Sequence, residues 1–212
     1  MKKLTSLCAA AGALLMPAVA TQAQGVGVAS IGAVGGLHIP SAYVLGTGDS
    51  AISQGNDHDP RLGTYNQHRN YTLGFGLGGG IELFGRLNHI QNITPGQTDL
   101  VGGDISGNLK WQLPIEGAGL PKLAVGFTDY GGKAAVFFRS IYAVASDELG
   151  PLRWSLGYAQ SKPSVVGKAR VLDGVFGGAE LRLWDTRATL LAETDGTRRH
   201  AGVRYYSPVL PW

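Results

Sequence analysis

Gly126 to Ala159, GFTDYGGKAAVFFRSIYAVASDELGPLRWSLGYA, decides the fold. From Leu152 onward, Leu152, Trp154, Leu156 and Tyr158 alternate with Arg153, Ser155, Gly157 and Ala159, the period of two by which a strand sends successive side chains to opposite faces. Leu123, Val125 and Phe127 alternate with Ala124, Gly126 and Thr128 in the same way. Asp129, Tyr130, Gly131 and Gly132 then supply residues that tolerate the positive φ of a turn, and a second turn is expected at Asp147 to Pro151. Three consecutive antiparallel strands follow, the middle one covering Val136 to Val144.

Outward from this stretch the same grammar repeats. A strand is expected to begin near Asp49, followed by the polar loop Asn56 to His68, too long for a tight hairpin. Tyr71, Leu73, Phe75 and Leu77 then alternate with Asn70, Thr72, Gly74 and Gly76; past Gly78 to Gly80, Ile81, Leu83 and Leu87 oppose Glu82, Arg86 and Asn88. Ile105, Gly107, Leu109, Trp111 and Leu113 oppose Ser106, Asn108, Lys110 and Gln112. Toward the C-terminus come runs at Val175 to Leu183, Ala188 to Glu193 and Arg198 to Ser207, with turns at Asp185-Thr186 and Asp195-Gly196. These runs predict an all-β fold, an antiparallel transmembrane β-barrel of about ten strands, eight and twelve staying open because bacterial barrels take even numbers.

The faces decide between a barrel and a soluble β-sandwich, which also alternates. The apolar faces carry no Lys, Arg, Asp or Glu, whereas the opposite faces carry Glu82, Arg86, Lys110, Arg139, Arg153, Glu180, Arg182, Glu193 and Arg204. An Arg or Lys facing lipid at the midplane costs roughly 2–4 kcal/mol, so these nine are expected to face the lumen. Aromatic residues near strand ends, Tyr71, Trp111, Tyr142, Trp154, Tyr158 and Tyr205, suit interface girdles. Two readings of the lumen stay open: a basic path for an anionic sugar polymer, or a closed interior in which Arg and Glu satisfy one another.

Composition and the N-terminus bound the class. Charged residues make up only 16%, below the ~25% usual for soluble domains, and glycine is abundant at 33 residues without a three-residue period. Residues 1–23 read as a secretory signal peptide, with Lys2 and Lys3, an apolar run from Leu7 to Val19 and a Thr21-Gln22-Ala23 cleavage site; Ala18-Val19-Ala20 is an alternative cut. Losing Lys2 and Lys3 takes the formal charge from +3 to +1, no footing for a nucleic-acid partner. The single cysteine, Cys8, lies within the signal, so the mature chain offers no disulfide or thiolate site. No later window reaches 18 apolar residues, which excludes a transmembrane helix. Residues 24–48 form a Gly-rich irregular lead-in, 49–207 the barrel and 208–212 a tail, and the location expected is the bacterial outer membrane, with its lipid as a partner.

Motifs of other chemistries resolve differently. Gly74-x-Gly76-x-x-Gly79 matches a dinucleotide fingerprint, but a strand rather than a helix follows it. Asp57, His58 and Asp59, with His68, could hold a metal or polarise a water, yet their spacing matches no zinc or calcium signature. No catalytic residue, metal site or cofactor is therefore assigned, and the protein is expected not to be an enzyme.

The central stretch resembles the YjbH-like family of bacterial outer-membrane proteins. The resemblance lies in Gly126, Phe127, Asp129, Gly131 and Gly132, then Tyr142 to Ser146, then Gly150 and Pro151, with a second match at Gly36 to Ser53, GLHIPSAYVLGTGDSAIS. It implies a short, single-domain member with a part in exopolysaccharide or capsule export or display, and polysaccharide and other export components as partners. Two rivals stand beside it: a structural or adhesive barrel binding through its loops, and a surface hydrolase using His58, Asp57 or Asp59.

Overall fold

The computed structural model describes residues 27–58, 66–92, 100–115, 117, 119–131, 139–162, 172–184 and 186–206. Two short strands, β1 (Gly27–Ala29) and β2 (Ala33–Gly35), pair with each other. Ten longer ones follow: β3 (Ser50–His58), β4 (Asn66–Gly78), β5 (Ile81–Asn92), β6 (Leu100–Gln112), β7 (Lys122–Tyr130), β8 (Ser140–Leu149), β9 (Leu152–Ser161), β10 (Gly174–Arg182), β11 (Ala188–Thr194) and β12 (Arg199–Tyr205). They form one antiparallel sheet of ten strands in chain order, each paired with the next. The all-β, antiparallel expectation holds. No ladder joins β3 to β12 among the described residues, so the sheet's two edges remain unpaired.

The connections alternate between two rims. Gly79-Gly80, residues 113–121, Gly150-Pro151 and residues 183–187 join strands at one, and 59–65, 93–99, 131–139, 162–173 and 195–198 at the other. Gly79, Gly80 and Gly150 have φ of 60°, 76° and 61°, the left-handed region that glycine enters without a Cβ clash. The turn expected over Asp147 to Pro151 narrows to Gly150-Pro151, because the ladder continues through Asp147↔Trp154 to Leu149↔Leu152. Asp129 and Tyr130, expected in a turn, are the last residues of β7. β8 begins at Ser140, and Gly132 and residues 133–138 lie outside the described residues. The 56–68 loop is also shorter than expected: β3 runs to His58 and β4 starts at Asn66, with Asp57 opposite His68, while Asp59 lies outside the described residues. Residues 1–26 and 207–212, which include the expected signal peptide and tail, lie outside them too.

The sheet is inside-out relative to a soluble protein. Ile52, Ile105, Val175 and Val203 are 64–83% exposed, whereas Glu82, Arg86 and Lys110 are 1–2% exposed. The inner face also packs aromatic rings against glycines directly opposite in the ladder: Phe84 against Gly74, Phe176 against Gly157, and Tyr142 against Gly126. Tyr142 therefore points inward, 6% exposed, rather than joining an outer girdle. Both faces of β8 are apolar there, so alternation alone could not orient it, and Gly126 leaves the room the phenol occupies.

These pairs make a sharp prediction. A Cβ on Gly157 would lie 2.3 Å from the Phe176 ring and 2.5 Å from the Ala143 carbonyl oxygen. Gly157→Val should lower stability by about 1–3 kcal/mol, read from the urea midpoint of the detergent-refolded protein. Gly85→Val is the control. Its Cβ would meet only the Leu73 carbonyl oxygen, at 3.9 Å, and Val favours strands, so stability should hold or rise.

Candidate functional site: the filled interior

Residues 27–49 lie against the inner face of the sheet, and the inner charges hold them there. This segment is glycine-rich and broken by Pro40; it bonds to itself in the short β1–β2 ladder and in turns such as Ser30 N to Leu37 O and Ser41 N to Val34 O, and this leaves other backbone groups without a partner in the segment. Buried N–H and C=O groups must still find partners. Long polar side chains from the wall supply them.

Glu82 on β5 accepts from Val34 N at 3.0 Å through Oε1 and from Leu45 N at 3.1 Å through Oε2. On β6, Lys110 Nζ donates to Val34 O at 2.8 Å, and Asn108 Nδ2 donates to Ile31 O and Gly32 O at 2.8 and 2.9 Å. Ser146 Oγ on β8 accepts from Ala42 N at 2.9 Å. On β11, Glu193 accepts from Leu37 N and His38 N, at 2.9 and 2.5 Å. Arg204 Nη2 on β12 donates to Gly35 O and Gly36 O at 3.0 and 2.9 Å. Five strands around the sheet thus grip one strap of chain.

Inner glycines clear the path for it. A Cβ on Gly76 would stand 1.9 Å from the Gly46 carbonyl oxygen, and one on Gly202 2.8 Å from the Leu37 side chain. The His38 ring, carried on the strap, meets the His200 ring of β12 at a tilt, with centroids 4.0 Å apart.

The remaining charges pair with one another. Lys110 meets Glu82 at 2.8 Å, Arg86 meets Asp129 at 2.7 Å, and Arg204 meets Glu180 at 3.1 Å. Arg153 binds Glu148 and approaches Glu180 at 3.9 Å, and its guanidinium lies 4.9 Å from the Tyr43 ring of the strap. Burial raises the Tyr43 phenol pKa, the Glu148 charge adds to this, and Arg153 opposes both. Of the other residues expected inside, Arg182 sits at the rim that carries Gly150-Pro151, 59% exposed and 4.0 Å from Glu148. Arg139 lies just before β8, half-buried, its guanidinium 4.9 Å from the Tyr130 ring.

Four contributors were not assigned from sequence. Asn108 and Ser146 are uncharged, and their role depends on an irregular strap that has no period to read. Glu148 falls where a turn was expected. Asp129 has φ 63°, a left-handed conformation that Asp tolerates, and this places its carboxylate inside against Arg86 while its N–H donates to Asn108 Oδ1 at 2.7 Å. In the turn after β11, burial works against ionisation of Asp195. Hydrogen bonds from Thr197 and Arg198 outweigh it and hold the carboxyl pKa below its usual value. Among the described residues no group of His, Cys, Asp and Glu is placed to hold a metal.

Fold and interior together define an all-β protein: an antiparallel ten-stranded meander with its charges turned inward around a strap of its own chain. The sequence model of the YjbH family, described as exopolysaccharide biosynthesis protein YbjH, matches residues 28–197, and the chain belongs to that family. Both stretches that carried the resemblance fall within the match. No curated protein and no solved structure matches the chain.

Proposed function

We propose that this protein is a non-enzymatic outer-membrane β-barrel of exopolysaccharide production, acting in export or surface display, with its interior closed at rest by residues 27–49. The observation that carries this reading is the inversion of burial, ionic groups within and large aliphatic side chains without. Water would make so much exposed Leu, Ile and Val unfavourable, and lipid makes it favourable. Strand lengths of 7–13 residues bracket the ~9–11 that a tilted membrane strand needs. One rim carries the tight turns Gly79-Gly80 and Gly150-Pro151, which suit a periplasmic side, and the other the long connection 162–173, which suits an extracellular one. The polysaccharide role rests on the family description. Its partners are then outer-membrane lipid, the polymer and other export components.

A filled interior also favours the rival in which a closed barrel serves as a structural or adhesive element and binds through its long loops. One experiment separates the readings. Cells lacking the gene, and a complemented strain, are fractionated, and sugar polymer is measured in medium and periplasm. A role in export predicts less polymer outside and more in the periplasm, with the protein itself in the outer-membrane fraction. Unchanged pools would set export aside in favour of the loop-binding role, and recovery of the protein as a soluble periplasmic species would overturn the barrel.

A further inference from the structure

A cavity of about 230 Å³ lies where the two unpaired edges of the sheet come together. Its lining comes from both orientations of each edge. Ser53, Gly55 and Arg204 are half-buried inner-face residues, whereas Gln54 and Val203 belong to the exposed outer rows, yet all five border it. The cavity therefore borders both residue rows at the β3 and β12 edges. Val28, Ser30, Gly36 and Leu37 of the strap form its inner end.

The chemistry of the lining is specific. Asn70 is only 4% exposed, and its Oδ1 has no hydrogen-bond partner, an acceptor in want of a donor. Ser53 Oγ and Thr72 Oγ1 lie 2.5 Å apart, so one hydroxyl donates to the other and the second keeps its own hydrogen for another acceptor. Arg204 is neutralised by Glu180 and its Nη2 is committed to the Gly35 and Gly36 carbonyls, so the lining favours a neutral head over an anion. Toward the outside the wall turns apolar, with Val203 on β12 and Ile52 beside Gln54. The volume is several times the ~30 Å³ share of a water molecule, room for a small hydroxylated group.

We propose that the gap between β3 and β12 is a lateral slot for a membrane amphiphile, its neutral hydroxyl-bearing head against Asn70, Thr72 and Ser53 and its chain emerging between Gln54 and Val203. This rests on the membrane reading above. Unpaired edge groups in lipid need hydrogen-bond partners, and such a head supplies them where, among the described residues, no ladder joins β3 to β12.

The test uses the full mature chain in phosphatidylcholine vesicles. Two photoreactive probes share one diazirine-bearing chain: a monoacylglycerol, with two hydroxyl donors, and an alkylphosphocholine, with none. Peptides containing Gln54, Gly55 and Val203 should be labelled several-fold more by the glycerol probe. Asn70→Leu should erase that preference. Gly55→Phe should abolish seam labelling while leaving the fold intact, because a Cβ there meets nothing within 4 Å and the ring enters the cavity. Equal labelling of the seam by both probes, or seam labelling that survives Gly55→Phe, overturns the proposal. Labelling of the outward Leu73, Leu87, Leu156 and Val175 reports separately on the barrel: their labelling without the seam's overturns the slot alone, and if they too stay unlabelled the membrane reading falls and the slot with it.

Discussion

Glu82→Ala is expected to cost about 3–5 kcal/mol, a large share of the 5–15 kcal/mol that holds a domain together. Lys110 would be left 1% exposed without the carboxylate that sits 2.8 Å away, and Val34 N and Leu45 N would lose their acceptor. Most of the loss comes from holding an ammonium out of water with no counter-charge beside it. Urea unfolding of the refolded protein, followed by intrinsic fluorescence, reads the loss. Glu82→Gln with Lys110→Met should recover most of it, since the buried charges then vanish together. A Glu82→Ala midpoint that matches the wild type would show that the pair does not organise the interior.

Deleting residues 27–45 should turn a silent protein into a conducting one. The ten-stranded ladder is built from β3 to β12 and needs none of those residues for its pairing. What the deletion removes is the strap that Glu82, Asn108, Lys110, Ser146, Glu193 and Arg204 hold across the interior. Water can take over those hydrogen bonds, so the wall should survive with a hydrated lumen. Planar-bilayer recordings are the check: no steps from the intact chain, discrete conductance steps from the deleted one. Silence from both, with the deleted chain folded, would mean that the inner side chains close the lumen without the strap.

How much of this was legible follows from what has a period. Ten strands could be placed because Leu152 to Tyr158, Ile105 to Trp111 and their like alternate cleanly, and because Gly79-Gly80 and Gly150-Pro151 mark tight reversals. The inward direction of Glu82, Arg86 and Lys110 followed from the same alternation and from the cost of a charge in lipid. Their occupation did not. The strap is irregular, and nothing in GLHIPSAYVLG announces which distant side chains will meet its backbone groups. Tyr142 was misplaced because Ile141, Tyr142, Ala143 and Val144 give no contrast between faces; the cue that settles it is Gly126 across the ladder. Asp129 was read as a turn residue because a residue suited to a turn also suits a left-handed strand end that aims its carboxylate inward.

The strap also ties the start of the chain to its finish. Arg204, on the final strand, binds the Gly35 and Gly36 carbonyls across 169 and 168 positions of sequence, while every ladder of the ten-stranded sheet joins neighbours in chain order. A polypeptide cut short before β12 could still zip up most of its wall, yet it would lack the last hand that seats its own beginning. The order of synthesis and the order of completion are thereby opposed: what is made first is secured last. Seating of the strap is thus a built-in mark of a finished molecule, one that an assembly or quality-control factor could sense.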